Sequence, residues 1–398
     1  MTGSIGANIR RLREQRGWSQ ARLARETCRA ADVQGDPIGR QEVSRYETGK
    51  RTPREWLPFI AAALGVPVDA LRASPEPTEP PRPALADYLP DGDPLAPISA
   101  RTGRRVGMDA VNDLQQRVHG LRLADDVIAG GDLLRPALRE LRSAIRLFRE
   151  GSHSEAVGLS LLQAIGELAQ IAGWIASDAG QREEAERIYR LGLSAAHSAG
   201  DTTLAGNLLG SLAYQRTNTG DVRAGLAMAQ AAMESATGAP PRARALYLDR
   251  VAWAHTQAGE TQSAMRALSE ASDALTEHGE EEEPAYLYWV DAGELQVMES
   301  RVYTELRRPL RAVPLLRDVL SRYDATHTRE LALYLSWLAV ALADANEPEE
   351  AAATAERVIT LSADVASGRT AERVRVVLAR LDEFRNVPEV RALLEHVA

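Results

Sequence analysis

Trp18-Ser19-Gln20-Ala21-Arg22-Leu23-Ala24 and, further on, Val43-Ser44-Arg45-Tyr46-Glu47-Thr48-Gly49-Lys50-Arg51-Thr52-Pro53 decide how the N-terminal region reads. Ser19 is a good N-cap for a helix carrying Leu23 and Ala24, because its hydroxyl can take an N–H that a helix start leaves unbonded. Upstream, Ile5, Ile9 and Leu12 recur at helical spacing, and Gly17 stops that helix. Downstream, a short helix begins near Gly39 and runs through Tyr46. Val43 and Tyr46 face its core side, while Arg40, Gln41, Ser44 and Arg45 share its polar face. Residues 48–53 form a basic turn. Trp56, Leu57, Ile60, Ala61 and Leu64 mark a fourth helix capped by Gly65, and Val68-Asp69-Ala70-Leu71 a last short turn.

The 398 residues exceed one small domain and suit two or three. With 44% hydrophobic and 26% charged residues the composition is that of a globular protein. Ala, Leu, Arg and Glu dominate and alternating β-branched runs are scarce, which points to an all-α fold. Cys28 is the single cysteine, so no intrachain disulfide can form and a reducing compartment is expected. The first residues lack a charged-then-apolar secretion pattern. No window is expected to reach the run of about 20 apolar residues that a membrane span needs. The expected location is the cytoplasm, with no membrane partner.

The net charge of −9 argues against nucleic acid, but its distribution argues for it. Residues 1–75 hold 13 basic against 8 acidic side chains, net +5, which leaves −14 on the remainder. A basic head on an acidic body suits phosphate binding by the head alone.

Between them, 8 of the 20 prolines fall within residues 75–97. Such a segment cannot be helical and reads as an extended spacer, although Leu85, Tyr88 and Leu89 could dock locally. The expected division is a head over 1–74, a linker over 75–105 and a body over 106–398.

The body is a repeat of helix, short turn, helix. Gly180, Gly220, Gly259, Arg307 and Asn346 occupy one turn slot, spaced by 40, 39, 48 and 39 residues. Five residues after each slot stands a small residue: Ala185, Gly225, Ala264, Ala312, Ala351. Seven before it stands another: Gly173, Ala213, Ala252, Ser300, Ala339. Small residues at both offsets let paired helices approach closely. An earlier unit is expected to turn at Gly151, with Ala156 five residues on, and a last helix over 371–384 followed by 387–397 is expected to cap the array.

On Leu12-Arg13, Trp18-Ser19-Gln20, Leu23-Ala24, Val43-Ser44-Arg45-Tyr46-Glu47, Gly49 and Pro53, the head resembles the Cro/C1-type, xenobiotic-response-element (Xre) family of helix-turn-helix domains. The resemblance implies a five-helix DNA-binding head whose third helix enters the major groove. Arg40 and Gln41 would then meet base edges, with Ser44 and Arg45 nearby; Arg suits guanine and Gln adenine. Ser19 and Gln20 would present donors to a phosphate, and Gln20, Lys50 and Arg51 would hold phosphates. One departure stands out: residues 27–38 carry an insert where the family has a tight turn, so the second helix extends toward Ala31 or the insert loops out.

The turn slot and its two small offsets resemble the tetratricopeptide repeat over roughly residues 133–365, although the period exceeds the usual ~34. The fold class is thus all-α, a head joined by proline to a tetratricopeptide-like α-solenoid. The layout also resembles a group of actinobacterial regulators, on Arg105-Val106-Gly107, Asp125-Asp126, Gly130-Gly131 and Gly173-Trp174-Ile175-Ala176-Ser177-Asp178-Ala179-Gly180. Other bacterial regulators built this way, including peptide-sensing quorum regulators, bind signals in the concave groove.

In repeat geometry the residue six before the turn slot faces that groove, here Trp174, Tyr214, Trp253, Arg301 and Val340. Gln170 and Asp249 lie four residues earlier in their units, and Asn207 and Glu294 seven earlier in theirs. The expected ligand-contacting set is therefore Gln170, Trp174, Asn207, Tyr214, Asp249, Trp253, Glu294 and Arg301. Aromatic residues would stack a ligand or simply pack between helices. Asn207 could bond a peptide backbone, and Asp249 and Glu294 would favour a cationic group. Tyr286, Tyr288 and Trp289, after the glutamate run 280–283, read as a helix start packed on its neighbour, and the run itself as a solvated loop and helix N-terminus.

No Gly-rich phosphate loop, no metal-ligand spacing among the seven histidines and no Gly-x-Ser-x-Gly elbow occurs in the sequence. No catalytic site, metal or cofactor is expected, nor an enzyme. The expected function is a sequence-specific transcriptional regulator that binds a double-stranded DNA operator as a homodimer, since one short head buries too little surface for useful specificity. Its body would sense a small molecule or peptide. The alternatives are a protein-interaction adaptor whose body binds a partner protein, and an antitoxin or phage-type repressor.

Overall fold

Gly17, Gly49 and Gly65 adopt φ of 64°, 70° and 58°, a left-handed backbone that ends helices, and they divide the head into short segments. In the computed structural model of the chain, the described residues are 3–33, 35, 37–72, 88, 105–128, 130–235, 238–277, 282–323, 326–363, 365 and 367–397. They fall into two compact units, Met1–Pro81 and Arg82–Ala398.

The first unit holds α1 (Gly3–Gln15), α2 (Gln20–Ala30), α3 (Arg40–Glu47), α4 (Leu57–Ala63) and α5 (Val68–Arg72). Ile9, Leu23, Val43, Ile60, Leu64 and Leu71 are fully buried in its core. A Cβ on Gly6 would lie 2.3 Å from the Tyr46 carbonyl oxygen, so only glycine lets α1 sit this close to α3. The insert resolves into both expected forms. α2 runs to Ala30, and the chain then loops, with Asp32 at φ 49°. Its far end is pinned where buried Ile38 accepts a 3.8 Å contact from the Cys28 thiol. Asp36 lies outside the described residues.

The second unit begins with α6 (Met108–Val127) and α7 (Gly130–Glu150). Five hairpins follow. They are α8 (Glu155–Asp178) with α9 (Arg182–Ala199), α10 (Thr202–Asn218) with α11 (Val222–Ser235), α12 (Pro241–Gln257) with α13 (Thr261–Thr276), α14 (Ala292–Glu305) with α15 (Pro309–Arg322), and α16 (Thr328–Asp344) with α17 (Pro348–Ala363). α18 (Gly368–Leu381) and α19 (Pro388–Val397) close the array. All five turn-slot residues have positive φ: Gly180 78°, Gly220 93°, Gly259 75°, Arg307 54° and Asn346 63°. The small residues on either side are buried between the paired helices. A Cβ on Gly173 would fall 2.6 Å from the Tyr189 ring.

Gly151 does not hold that slot. It joins α7 to α8, whose own hairpin partner is α9 through the turn at Gly180, and Ala156 is exposed. A second correction concerns apolarity: α8 is long and apolar enough to cross a membrane by composition, contrary to expectation. Its character follows from its place in the coil, where it packs against α6, α7, α9 and α10 and is buried over most of its surface.

The expected linker lies outside the described residues apart from Tyr88 and Arg105, and so do Leu85 and Leu89. Tyr88 is buried in the core of the second unit, and its carbonyl accepts from Arg190 Nη1 at 3.0 Å. Glu280 and Glu281 also lie outside, but Glu283 caps α12 by accepting from the Arg242 N–H at 3.0 Å. Tyr286 and Leu287 form a buried 3-10 turn rather than a helix start. That turn packs on α6: Arg122 stacks on the Tyr286 ring at 5.5 Å, and the Tyr288 hydroxyl donates to Asp126 at 2.5 Å.

Candidate functional site

In the head, buried Arg13 of α1 fixes the relation of three helices. It donates to Glu47 Oε2 at 3.1 Å and to the Trp18 carbonyl at 2.7 Å. Gln20 Nε2 donates to the same Glu47 oxygen at 2.7 Å, which ties the start of α2 to the end of α3. The hydrogen bond that Arg13 donates to Glu47 raises the Arg13 pKa above its ordinary value against the opposing effect of burial. Ser19 caps α2 by accepting from the Arg22 N–H at 3.2 Å. Both Ser19 and Gln20 thus already hold a structural bond.

The outer face of α3 carries the other expected residues. Arg40, Gln41 and Arg45 are exposed, and Ser44 is half-buried beside them. Lys50 and Arg51 are exposed in the turn that follows, where the Arg51 N–H returns to the Arg45 carbonyl at 3.2 Å. Glu42, absent from the expected set, binds two of these cations. It accepts from Arg45 Nη1 at 2.6 Å and from Arg51 Nη1 at 2.9 Å. Its place three residues before Arg45 on one helix face is a cue to that pairing. The surface offers several guanidinium donors and one glutamine amide on a single helix, the groups that bond phosphates and base edges.

In the body, the first helices of successive pairs, together with α18, line a cavity of about 1070 Å³. Gln170, Trp174, Asn207, Tyr214, Trp253, Glu294 and Arg301 all lie on its wall; Asp249 does not. Asp249 is buried and held by Arg250 Nη1 at 3.1 Å. In α16 the inward position belongs to Trp337, and Val340 is buried away from the cavity. Gln170 is bonded on both sides, accepting from Arg122 at 2.7 Å and donating to Ser211 at 3.3 Å.

The rings form a continuous row. Trp174 stacks on Tyr214 with centroids 5.9 Å apart, Tyr214 lies 6.5 Å from Trp253, and Trp253 meets Trp337 edge to face at 5.8 Å. Arginines sit over this row. Arg369 lies 4.9 Å from Trp174, Arg250 4.5 Å from Tyr214, Arg301 4.6 Å from Trp253 and Arg373 3.6 Å from Trp337. The ring faces attract these cations, so the aromatic stripe packs with arginine rather than with itself alone. Arg369 and Arg373 come from α18, which the sequence marks only as a cap.

Asp249 and Glu294, expected to favour a cationic group, are both engaged with other side chains. Burial pushes the Tyr214 phenol up, but Arg301, Arg369 and Arg250 together hold it below its ordinary value. Arg301 Nη2 donates to its oxygen at 2.6 Å. Burial pushes the Glu294 carboxyl up to about 7, and that group already accepts from the Tyr334 hydroxyl at 2.5 Å. Around the ring row the charged groups on the wall are mostly guanidinium: Arg250, Arg301, Arg369 and Arg373.

No curated protein matches the chain in sequence. Among solved structures, it is similar to Bacillus thuringiensis PlcR in complex with the peptide PapR7 and DNA. The identity is 13%, the match covers 83% of this chain and 99% of that chain, and the TM-score is 0.37. Residues 4–74 match the sequence model of a helix-turn-helix domain family. The first unit, with α3 presenting Arg40, Gln41 and Arg45 outward, is a helix-turn-helix domain.

Proposed function

We propose that this chain is a sequence-specific transcriptional regulator of the Xre type, with a DNA-binding head over 1–74, a linker over 75–105 and a sensing body over 106–398. The observation that carries this reading is the outer face of α3, basic and exposed within a matched helix-turn-helix domain. Arg40 and Gln41 read base edges, with Ser44 and Arg45 beside them. Ser19, Gln20, Lys50 and Arg51 hold phosphates. The protein acts as a homodimer on a two-fold operator, which doubles the base-reading surface. Its repeat body receives a small molecule or peptide in the cavity, and the ligand shifts the balance between two arrangements of the heads that bind DNA differently.

The test is selection of genomic fragments by the full-length protein, followed by sequencing and repeated with the Arg40→Ala/Gln41→Ala double variant. A shared motif for the wild type, lost in the variant, is the expected result. The same motif recovered by both proteins would refute base reading by α3. Native mass spectrometry of the wild type should give twice the chain mass; a monomer at operator-binding concentrations would overturn the dimer.

A further inference from the structure

Among the described residues, three sheltered guanidinium groups on the cavity wall lack a carboxylate partner: Arg122, which is bonded to Gln170 and to the Glu167 carbonyl, and Arg301 and Arg373. Arg250 is paired with Asp249, and Arg369 lies 3.8 Å from Asp178. Arg301 and Arg373 form no ion pair among the described residues. Each has one described hydrogen bond: Arg301 to the Tyr214 hydroxyl, and Arg373 Nε to Ser336 Oγ at 3.0 Å. Arg301 Nε and Arg373 Nη2 are shut off from solvent without any bond.

The two cations also crowd each other. Both lie over Trp337, Arg373 at 3.6 Å and Arg301 at 5.3 Å from its centroid. A ring face attracts a cation without neutralising it. Burial brings the Arg373 pKa down to about 10, and the positive charge of Arg301 adds to that effect. The carboxylates in reach are otherwise engaged or remote. Asp249 holds Arg250, Glu294 is bonded to Tyr334, Glu305 is exposed, and Glu372 lies 3.5 Å from Arg182. Asp249 and Glu294 act on Arg301 only from a distance. A sheltered positive charge with no bonded counter-ion is unfavourable, and here two converge on a space large enough for an organic molecule.

We infer that the cavity takes an organic carboxylate, its charged group held by Arg301 and Arg373 and its flat or apolar remainder lying along Tyr214, Trp253 and Trp337. The guanidinium fork matches two carboxylate oxygens in one plane, and the ring row supplies the apolar wall that ligand sites commonly have. The carboxylate belongs to a small organic acid or to the C-terminus of a short peptide; the chemistry recognised is the same. This deepens the sensing reading and rests on it only for the consequence that binding alters DNA affinity.

The test uses the full-length wild type in low-chloride buffer and follows tryptophan emission and thermal midpoint. Two pairs of probes separate the sources: 2-naphthoate against 2-naphthamide, and the tripeptide acetyl-Ala-Phe-Leu as free acid against its C-terminal amide. In at least one pair the acid should bind about tenfold or more tighter than its neutral partner, as expected for a charge-assisted bond. That preference should fall to less than threefold in Arg373→Gln and in Arg301→Gln. Arg373→Lys should retain part of it. Equal binding of acid and amide in both pairs, or no saturable binding by any probe, overturns the inference on the wild type alone, whatever the stability of the variants. An acid preference untouched by both glutamine variants, with helicity intact, also overturns it. Because no DNA is present, failure here leaves the selection experiment unaffected, and loss of the operator motif there leaves the ligand class standing.

Discussion

Arg329 and Asp125 lie 204 residues apart in the chain, yet Arg329 Nη1 and Nη2 bond the two Asp125 carboxylate oxygens at 3.1 Å each. Asp125 belongs to α6 and Arg329 to α16, so the pair joins the first helix of the repeat body to its last full unit. Asp178 of α8 extends the junction, lying 3.5 Å from Arg329 Nη1 and accepting from the Ser367 hydroxyl at 2.8 Å. The array therefore turns back on itself, and the cavity is enclosed by helices from both ends of the coil. Burial pushes the Asp125 carboxyl up to about 6 even against the pull of Arg329.

Removing Arg329 should be the costlier change, because it leaves Asp125 and Asp178 buried without their cation, whereas Arg329 without Asp125 keeps Asp178 and Glu330. Arg329→Ala is expected to destabilise the body by about 3–5 kcal/mol, and Asp125→Ala by less. The double change Asp125→Leu/Arg329→Met should cost less than the worse single change. Urea unfolding followed by circular dichroism checks this, and additive losses in the double variant would contradict a coupled pair.

Two buried glycines in α10 and α11 should respond in opposite directions. A Cβ at Gly225 would lie 2.1 Å from Thr217 Oγ1 and 3.0 Å from the Ala213 carbonyl, so Gly225→Ala must force the two helices apart. A loss of about 1–3 kcal/mol is expected. At Gly210 the nearest neighbour stands 3.6 Å away, at the Arg250 side chain. Gly210→Ala should be neutral or stabilising by up to about 1 kcal/mol through helix propensity. Thermal midpoints of the two variants, compared with wild type, decide the matter.

The repeat was legible because its requirements are local. A left-handed turn residue and two close helix contacts leave glycine, asparagine and alanine at fixed offsets, and helical phase then places Trp174, Tyr214, Trp253 and Arg301 on one face. Arg307 shows the limit, since an arginine in that backbone region follows no residue preference. The ring closure was hidden because nothing near Asp125 or Arg329 in sequence records a partner 204 residues distant. For the same reason Arg369 and Arg373, on a helix distant in sequence from the rings they cover, lie outside the expected set. Asp249 misled because helical phase resolves a face only to within about one residue, and its neighbour Arg250 takes the inward place.

Glu294 should make stability depend on pH. Its carboxyl is raised from 4.5 to about 7, so the folded state holds a proton that the unfolded chain has released. The stabilisation tied to that proton is fully present below about pH 4.5 and is lost as pH rises toward 7. Glu294→Gln keeps the shape without the titration. Relative to this variant, the wild type should lose roughly 2 kcal/mol between pH 4.5 and 7. Parallel urea midpoints for the two proteins across that range would remove Glu294 as the cause.

Glu42 should restrain the head on DNA. It bonds Arg45 and Arg51 together, so two cations proposed to meet DNA spend part of their charge on one carboxylate. Glu42 itself would stand near the phosphates and be repelled by them. Glu42→Gln removes that repulsion and releases both arginines. Affinity for DNA of any sequence should rise by about 3- to 10-fold at low salt, with a steeper dependence on salt concentration. Arg51→Ala should do the reverse, flattening the slope of log K against log salt by about one while leaving the preferred motif unchanged. Fluorescence anisotropy with random and selected duplexes between 50 and 200 mM salt measures both. A Glu42→Gln protein that binds no tighter than wild type would mean that Arg45 and Arg51 reach DNA freely with Glu42 in place, or that this face of α3 does not meet DNA.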